Sequence, residues 1–152
     1  LAPRHLNRLE EVEQMLRKES PSWIRRTALP MDQNRSTQER RPEVILLDTM
    51  GELMSLYSLA TVVFIGGSLV PVGGHNPLGP LFFKKCVLFG PYMLNFLEIS
   101  QRLIEAGGAI QVSGKEELSS AVRDSGPGTF SYRHGADLRT YIGRHGRGSH
   151  QN

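Results

Sequence analysis

The chain has 152 residues, 39% hydrophobic and 22% charged, values close to those of ordinary globular domains and far from disordered or collagen-like compositions, so one domain with one core is expected. The net charge of +3 is mildly basic and partly local, with Arg25, Arg26, Arg35, Arg40 and Arg41 close together and Arg133, Arg139, Arg144 and Arg147 near the end. No nucleic-acid motif accompanies these arginines, which argues against nucleic acid as a partner, and no apolar run approaches the roughly 18 residues that a bilayer span needs.

Leu1-Ala2-Pro3-Arg4-His5 leads into a pattern in which Leu6, Leu9, Val12, Met15 and Leu16 recur at helical spacing. This predicts a helix of about three turns starting near His5. Because the sequence opens on the turn before that helix, the strand that would deliver the turn is expected to lie upstream. Residues 30 to 42 are polar and bounded by Pro30 and Pro42, and they read as a surface loop. Val44 to Leu47 is a continuous apolar run, Gly51 to Leu59 is helix-prone, and Thr61 to Ile65 is β-branched and aromatic before stopping at Gly66-Gly67.

Cys86 to Phe89 reads as a further buried strand, and Cys86, the single cysteine, as a buried thiol with neither a disulfide partner nor metal-ligand spacing. Phe96 to Ala106 predicts a helix ending at Gly107-Gly108, Ala109 to Val112 a strand, and Lys115 to Val122 a helix. From Ser125 onward the chain is rich in Gly, Arg, His and Ser without apolar periodicity. Residues 1–123 are thus expected to fold and 124–152 to form an irregular tail. Continuous apolar strands alternating with helices specify a doubly wound α/β domain whose parallel sheet is covered on both faces.

Ligands of open parallel sheets bind beyond the carboxyl ends of the strands, so the turns there carry the candidate chemistry. Arg4, at a helix start, opposes the helix dipole and is suited to pairing with a phosphate, or simply faces solvent. The glycine-rich stretch from Gly66 to Gly74 precedes a helix expected to begin at Asn76 or Pro77, with Asn76 as a plausible N-cap and Pro77 favoured in the first turn. Free backbone amides there would suit an anion or a ribose phosphate, although tight turns alone also use glycine. The order Gly-Gly-Ser, spacer, Gly-Gly-His is neither a dinucleotide fingerprint nor a Walker loop. His75 reads as a proton carrier, a hydrogen-bond donor to sugar or phosphate, or a structural tie. Asp48 and Glu52 form either a catalytic pair or ordinary stabilisation of the helix that follows, with Asp48 as its cap.

Pro3-Arg4-His5, Asp48-Thr49-Met50-Gly51-Glu52-Leu53, Phe64 to Val70, Gly73-Gly74-His75-Asn76-Pro77-Leu78, and Gly90-Pro91 with Asn95-Phe96 together resemble the 3-deoxy-D-manno-octulosonic acid (Kdo) transferases over residues 1 to about 123. The resemblance implies a Rossmann-like domain, the C-terminal half of a GT-B glycosyltransferase that moves Kdo from CMP-Kdo to a lipid A precursor in lipopolysaccharide core biosynthesis. It implies no metal and no cofactor. Pro3 and Arg4 would contact the CMP phosphate region, Met50, Gly51 and Glu52 would line the nucleotide site, and Asn76, Pro77, Leu78 and Gly79 would approach the ribose and phosphate. Gly66, Gly67 and Ser68 would shape the loop beneath, with His5, His75 and Asn95 in support. No residue of this chain is assigned as catalytic.

The general base, a glutamate of the family's first domain, is expected outside this sequence, as are the acceptor site and an N-terminal anchor at the cytoplasmic face of the inner membrane. This part alone would be soluble and would bind donor without transferring sugar. The family usually has glutamate where this chain has Gly79, and the tail beyond about Ser125 does not match. Two alternatives follow: another nucleotide-sugar transferase or epimerase domain, which would prefer a UDP-sugar, and a non-catalytic remnant.

Overall fold

The computed structural model describes residues 1–20, 22–29 and 41–125. The polar loop expected at residues 30–42 falls mostly, and the tail after Ser125 wholly, outside the described residues. The chain divides into two compact units, Leu1–Leu53 and Met54–Asn152, and the described residues form one parallel sheet of two strands and one of three.

In the first unit a 3-10 turn at Leu6–Arg8 runs into helix α1 (Leu9–Glu19). Leu16 is buried, but Leu6 and Met15 remain 38% and 49% exposed, so the apolar stripe is only partly covered. Strand β1 (Trp23–Arg25) pairs in parallel with β2 (Val44–Leu46), placing Trp23 opposite Val44 and Arg25 opposite Leu46. The sequence reading did not anticipate β1, because three residues carry no periodicity. The buried Glu13 of α1 accepts a hydrogen bond from Arg25 Nε and lies 3.8 Å from Arg17, tying helix to strand. That bond to Arg25 holds the Glu13 carboxyl below its ordinary pKa.

The Leu1 amino group donates to the Ile45 carbonyl and the Leu47 N–H donates to the Leu1 carbonyl, each at 2.8 Å. These are the two bonds a parallel neighbour opposite Leu46 makes. The Val44 N–H turns toward β1, donating to Ser22 O at 3.1 Å, so Ile45 and Leu47 address the other edge of β2.

Helix α2 (Leu53–Leu59) starts two residues later than predicted, because Gly51 has φ +87°, a left-handed turn that no helix continues through. β3 (Val62–Ile65), α3 (Leu78–Phe82), β4 (Cys86–Phe89), α4 (Leu97–Glu105), β5 (Ala109–Gln111) and α5 (Lys115–Asp124) follow. The strand order is β3-β4-β5, all parallel, with Ile65 opposite Phe89 and Phe89 opposite Gln111. This is the expected alternating α/β architecture.

β4 is buried at every residue. Val87 and Phe89 point to one face and pack with Ile65, Met93, Leu81 of α3 and Leu103 of α4. Cys86 and Leu88 point to the other, where the Cys86 thiol lies 3.8 Å from the Ser125 hydroxyl at the end of α5. Burial raises the thiol pKa, as suits an inert core cysteine. Two-sided cover holds at β4 but not at its neighbours: Phe64 and Ile110, which flank Leu88, are each 37% exposed. α4 ends as its glycines predict, with φ +68° at Gly107 and the Gly108 N–H bonded to Leu103 O at 2.8 Å.

Candidate functional site

Two clusters of the predicted residues lie at the carboxyl ends of strands. In the first unit, Pro3 is half-buried, Arg4 and His5 are exposed, and His5 occupies the N-cap position of the 3-10 turn without a side-chain capping bond. The segment after β2 presents Met50, 76% exposed, and the left-handed Gly51 between two anchored acids.

Asp48 is not the cap of α2. Its carboxylate accepts the Thr27 N–H at 3.1 Å and the Thr27 hydroxyl, fixing the loop after β2 to the turn after β1. The hydroxyl bond is the main cause that lowers its pKa. Glu52 pairs with Arg26 at 3.0 Å and accepts the Thr49 hydroxyl. Both acids thus have structural partners, which fits stabilisation of the loop better than a catalytic pair. Arg25 and Arg26, part of the basic cluster, are engaged in ion pairs within this unit.

In the second unit the loop after β3 and the loop after β4 are joined. The buried Ser68 hydroxyl donates to Ile65 O at 2.5 Å and accepts the Gly90 N–H at 2.8 Å, and the Tyr92 N–H donates to Ser68 O at 2.9 Å. Gly74 N–H closes the loop on Gly67 O at 3.1 Å. A Cβ on Gly73 would stand 2.5 Å from Asn95 Nδ2, and one on Gly74 would overlap Met93 Sδ. Asn95 is exposed, and its N–H reaches Gly73 O at 3.5 Å. His75 is half-buried, with Nε2 3.8 Å from where a Gly67 Cβ would sit.

Asn76 acts as predicted in kind but one step early: its Oδ1 accepts the Leu78 N–H at 3.0 Å, an Asx turn, so Pro77 takes the N-cap position and α3 begins at Leu78. With five residues, α3 sums few peptide dipoles. Any anion held here would rest on the loop's own N–H groups and not on a helix field. No carboxylate stands in residues 66–79 or 90–95, so His75 is the one side chain of these two loops with the chemistry of a proton carrier near neutral pH. Among the described residues no group of three or more His, Cys, Asp or Glu could hold a metal ion, and no helix is long and apolar enough to cross a membrane.

No protein-family model matches the chain. Over 123 residues, 80% of the chain, it is 45% identical to the 3-deoxy-D-manno-octulosonic acid transferase of Haemophilus influenzae, covering 27% of that protein. A bifunctional glycosyltransferase/methyltransferase of Fusobacterium nucleatum is 35% identical over 122 residues, 80% of this chain and 18% of its own. The crystal structure of the C-terminal CMP-Kdo binding domain of WaaA from Acinetobacter baumannii matches with TM-score 0.70 and 26% identity, covering 93% of this chain and 68% of that one. Four fifths of the chain is thus similar to Kdo transferases. The chain spans about a quarter of the length of the Haemophilus Kdo transferase, and its fold corresponds to the C-terminal domain of a GT-B enzyme.

The position at which the resemblance to Kdo transferases calls for a glutamate is closely packed. A Cβ on Gly79 would lie 2.7 Å from Tyr57 Cε2 and 3.4 Å from Met54 Sδ. Sequence reasoning did not single out Tyr57, nor Thr27, Arg25 and Arg26 as partners of the acids. Each acts across 12 to 26 residues of sequence, and no local pattern signals such a pairing.

Proposed function

We propose that this chain is the donor-binding half of a Kdo transferase. The observation that carries the reading is its fold likeness to a CMP-Kdo binding domain, and the match of its strand-end segments to the family's supports it. In this reading Pro3 and Arg4 contact the phosphate of CMP, and Met50, Gly51 and Glu52 line the nucleotide site. Asn76 to Gly79 meet the ribose and phosphate, with His5, Gly66, Gly67, Ser68, His75 and Asn95 supporting them. Glu52 is half-exposed and already paired with Arg26, so its role is to fix the loop as much as to touch nucleotide. Arg4 supplies the positive charge that a leaving CMP requires without a metal, since guanidinium–phosphate bonds are charge-assisted.

The whole protein would transfer Kdo to a lipid A precursor in lipopolysaccharide core biosynthesis, at the cytoplasmic face of the inner membrane. The first domain would supply the base, the acceptor site and the anchor. This half alone binds donor and does not transfer sugar. The absence of a carboxylate at Gly79 favours, as a second reading, a remnant with a weakened site.

Titration calorimetry with CMP and UMP tests the proposal. CMP is expected to bind in preference to UMP, and Arg4→Ala to weaken CMP by about tenfold or more, the size of a lost charge-assisted bond. Tighter binding of UMP than of CMP would favour a UDP-sugar enzyme, and no binding of either would favour the remnant.

A further inference from the structure

The glycines of the joined loops have different reasons to be glycine. Gly67, Gly73 and Gly74 have φ of +70°, +95° and +68°, and a Cβ on Gly90 would overlap the Ser68 carbonyl. The fold itself requires all four. Gly66 has neither reason: its φ lies outside the left-handed region, nothing stands within 4 Å of a Cβ built on it, and it is exposed. Nor is it a hinge, because Ser68 two residues on is locked to Ile65 and Gly90. An alanine would fit and would cost the folded chain less conformational entropy.

A glycine that the fold does not need stands at the first position beyond β3, the end of a parallel strand where ligands dock in such sheets. We propose that Gly66 is a donor-contact position: its bare backbone lets the sugar-phosphate portion of the nucleotide sugar lie against the main chain, in the volume a Cβ would fill. The inference rests on the donor-binding reading and moves Gly66 from loop-shaping to ligand contact. The shaping is done by Gly67, Gly73, Gly74 and Gly90.

The test is CMP titration and thermal unfolding of the chain and its Gly66→Ala and Gly66→Val variants, with Gly74→Ala as the contrast. Gly66→Ala is expected to melt at or above the parent temperature and yet to bind CMP about tenfold more weakly, with a larger loss for Gly66→Val, as intruding methyl groups cost a packed contact. Gly74→Ala should melt lower. Gly66 variants that bind CMP as the parent does would overturn the inference while leaving the donor reading standing. A Gly66→Ala chain that melts well below the parent would overturn it too, since the glycine would then be structural. A parent chain that fails to bind CMP would overturn both.

Discussion

Replacing Gly79 by glutamate sets stability against affinity in a way the structure makes quantitative. The new Cβ would begin 2.7 Å from Tyr57 Cε2 and 3.4 Å from Met54 Sδ, so the Tyr57 ring must withdraw. Tyr57 is half-buried and Met54 is 47% exposed, so both can yield toward solvent. The cost should therefore sit near the lower end of overpacking penalties, about 1 kcal/mol. A carboxylate accepting hydrogen bonds from a ribose diol would contribute roughly 1.5 to 3 kcal/mol, or about 10- to 150-fold in CMP affinity. Gly79→Glu is thus expected to lower the unfolding free energy in urea while tightening CMP in calorimetry. A variant that loses stability and binds CMP no better would refute the reasoning that position 79 borders the ribose. One that loses no stability would refute the packing argument.

Ser68→Ala should cost about 1–3 kcal/mol in urea denaturation, because it leaves the buried Gly90 N–H without its acceptor; an unchanged midpoint would show that the two loops are not held through this hydroxyl. Glu13→Gln should destabilise the chain at neutral pH by removing the carboxylate that Arg25 binds. Since the folded pKa of Glu13 lies below its usual 4.5, its contribution is present above pH 4.5 and lost as pH falls through the folded value. The gap between parent and variant, followed by thermal unfolding at several pH values, should close in that acid range, and a gap that persists there would exclude the ion pair as its source.

The α/β class, β2 to β5 and helices α1, α2, α4 and α5 were legible because continuous apolar runs and helical spacing are local signals. β1 was not, since Trp23–Arg25 becomes a strand by its register on β2, some twenty residues later. The Asn76-Pro77 start of α3 was readable in type, but its shortness depends on Lys84 turning left-handed at φ 55°, which the sequence does not signal. The candidate segments were visible as a set. What lay hidden was the division of labour inside them: Asp48 holding Thr27 in place of a helix end, and Gly66 standing apart from glycines that look the same on the page. Asp48 is told apart by its hydrogen bonds to Thr27, and Gly66 by its backbone angle and the open space around a Cβ built on it.

The central claim, that these strand-end segments hold the cytidine nucleotide, is tested most directly by mapping backbone amide chemical shifts of the chain during titration with CMP. The account predicts that the largest changes fall on Arg4, Met50 to Glu52, Gly66, Gly67 and the amides of Asn76, Leu78 and Gly79. Shifts scattered over α4 and α5, or none at saturating CMP, would contradict it.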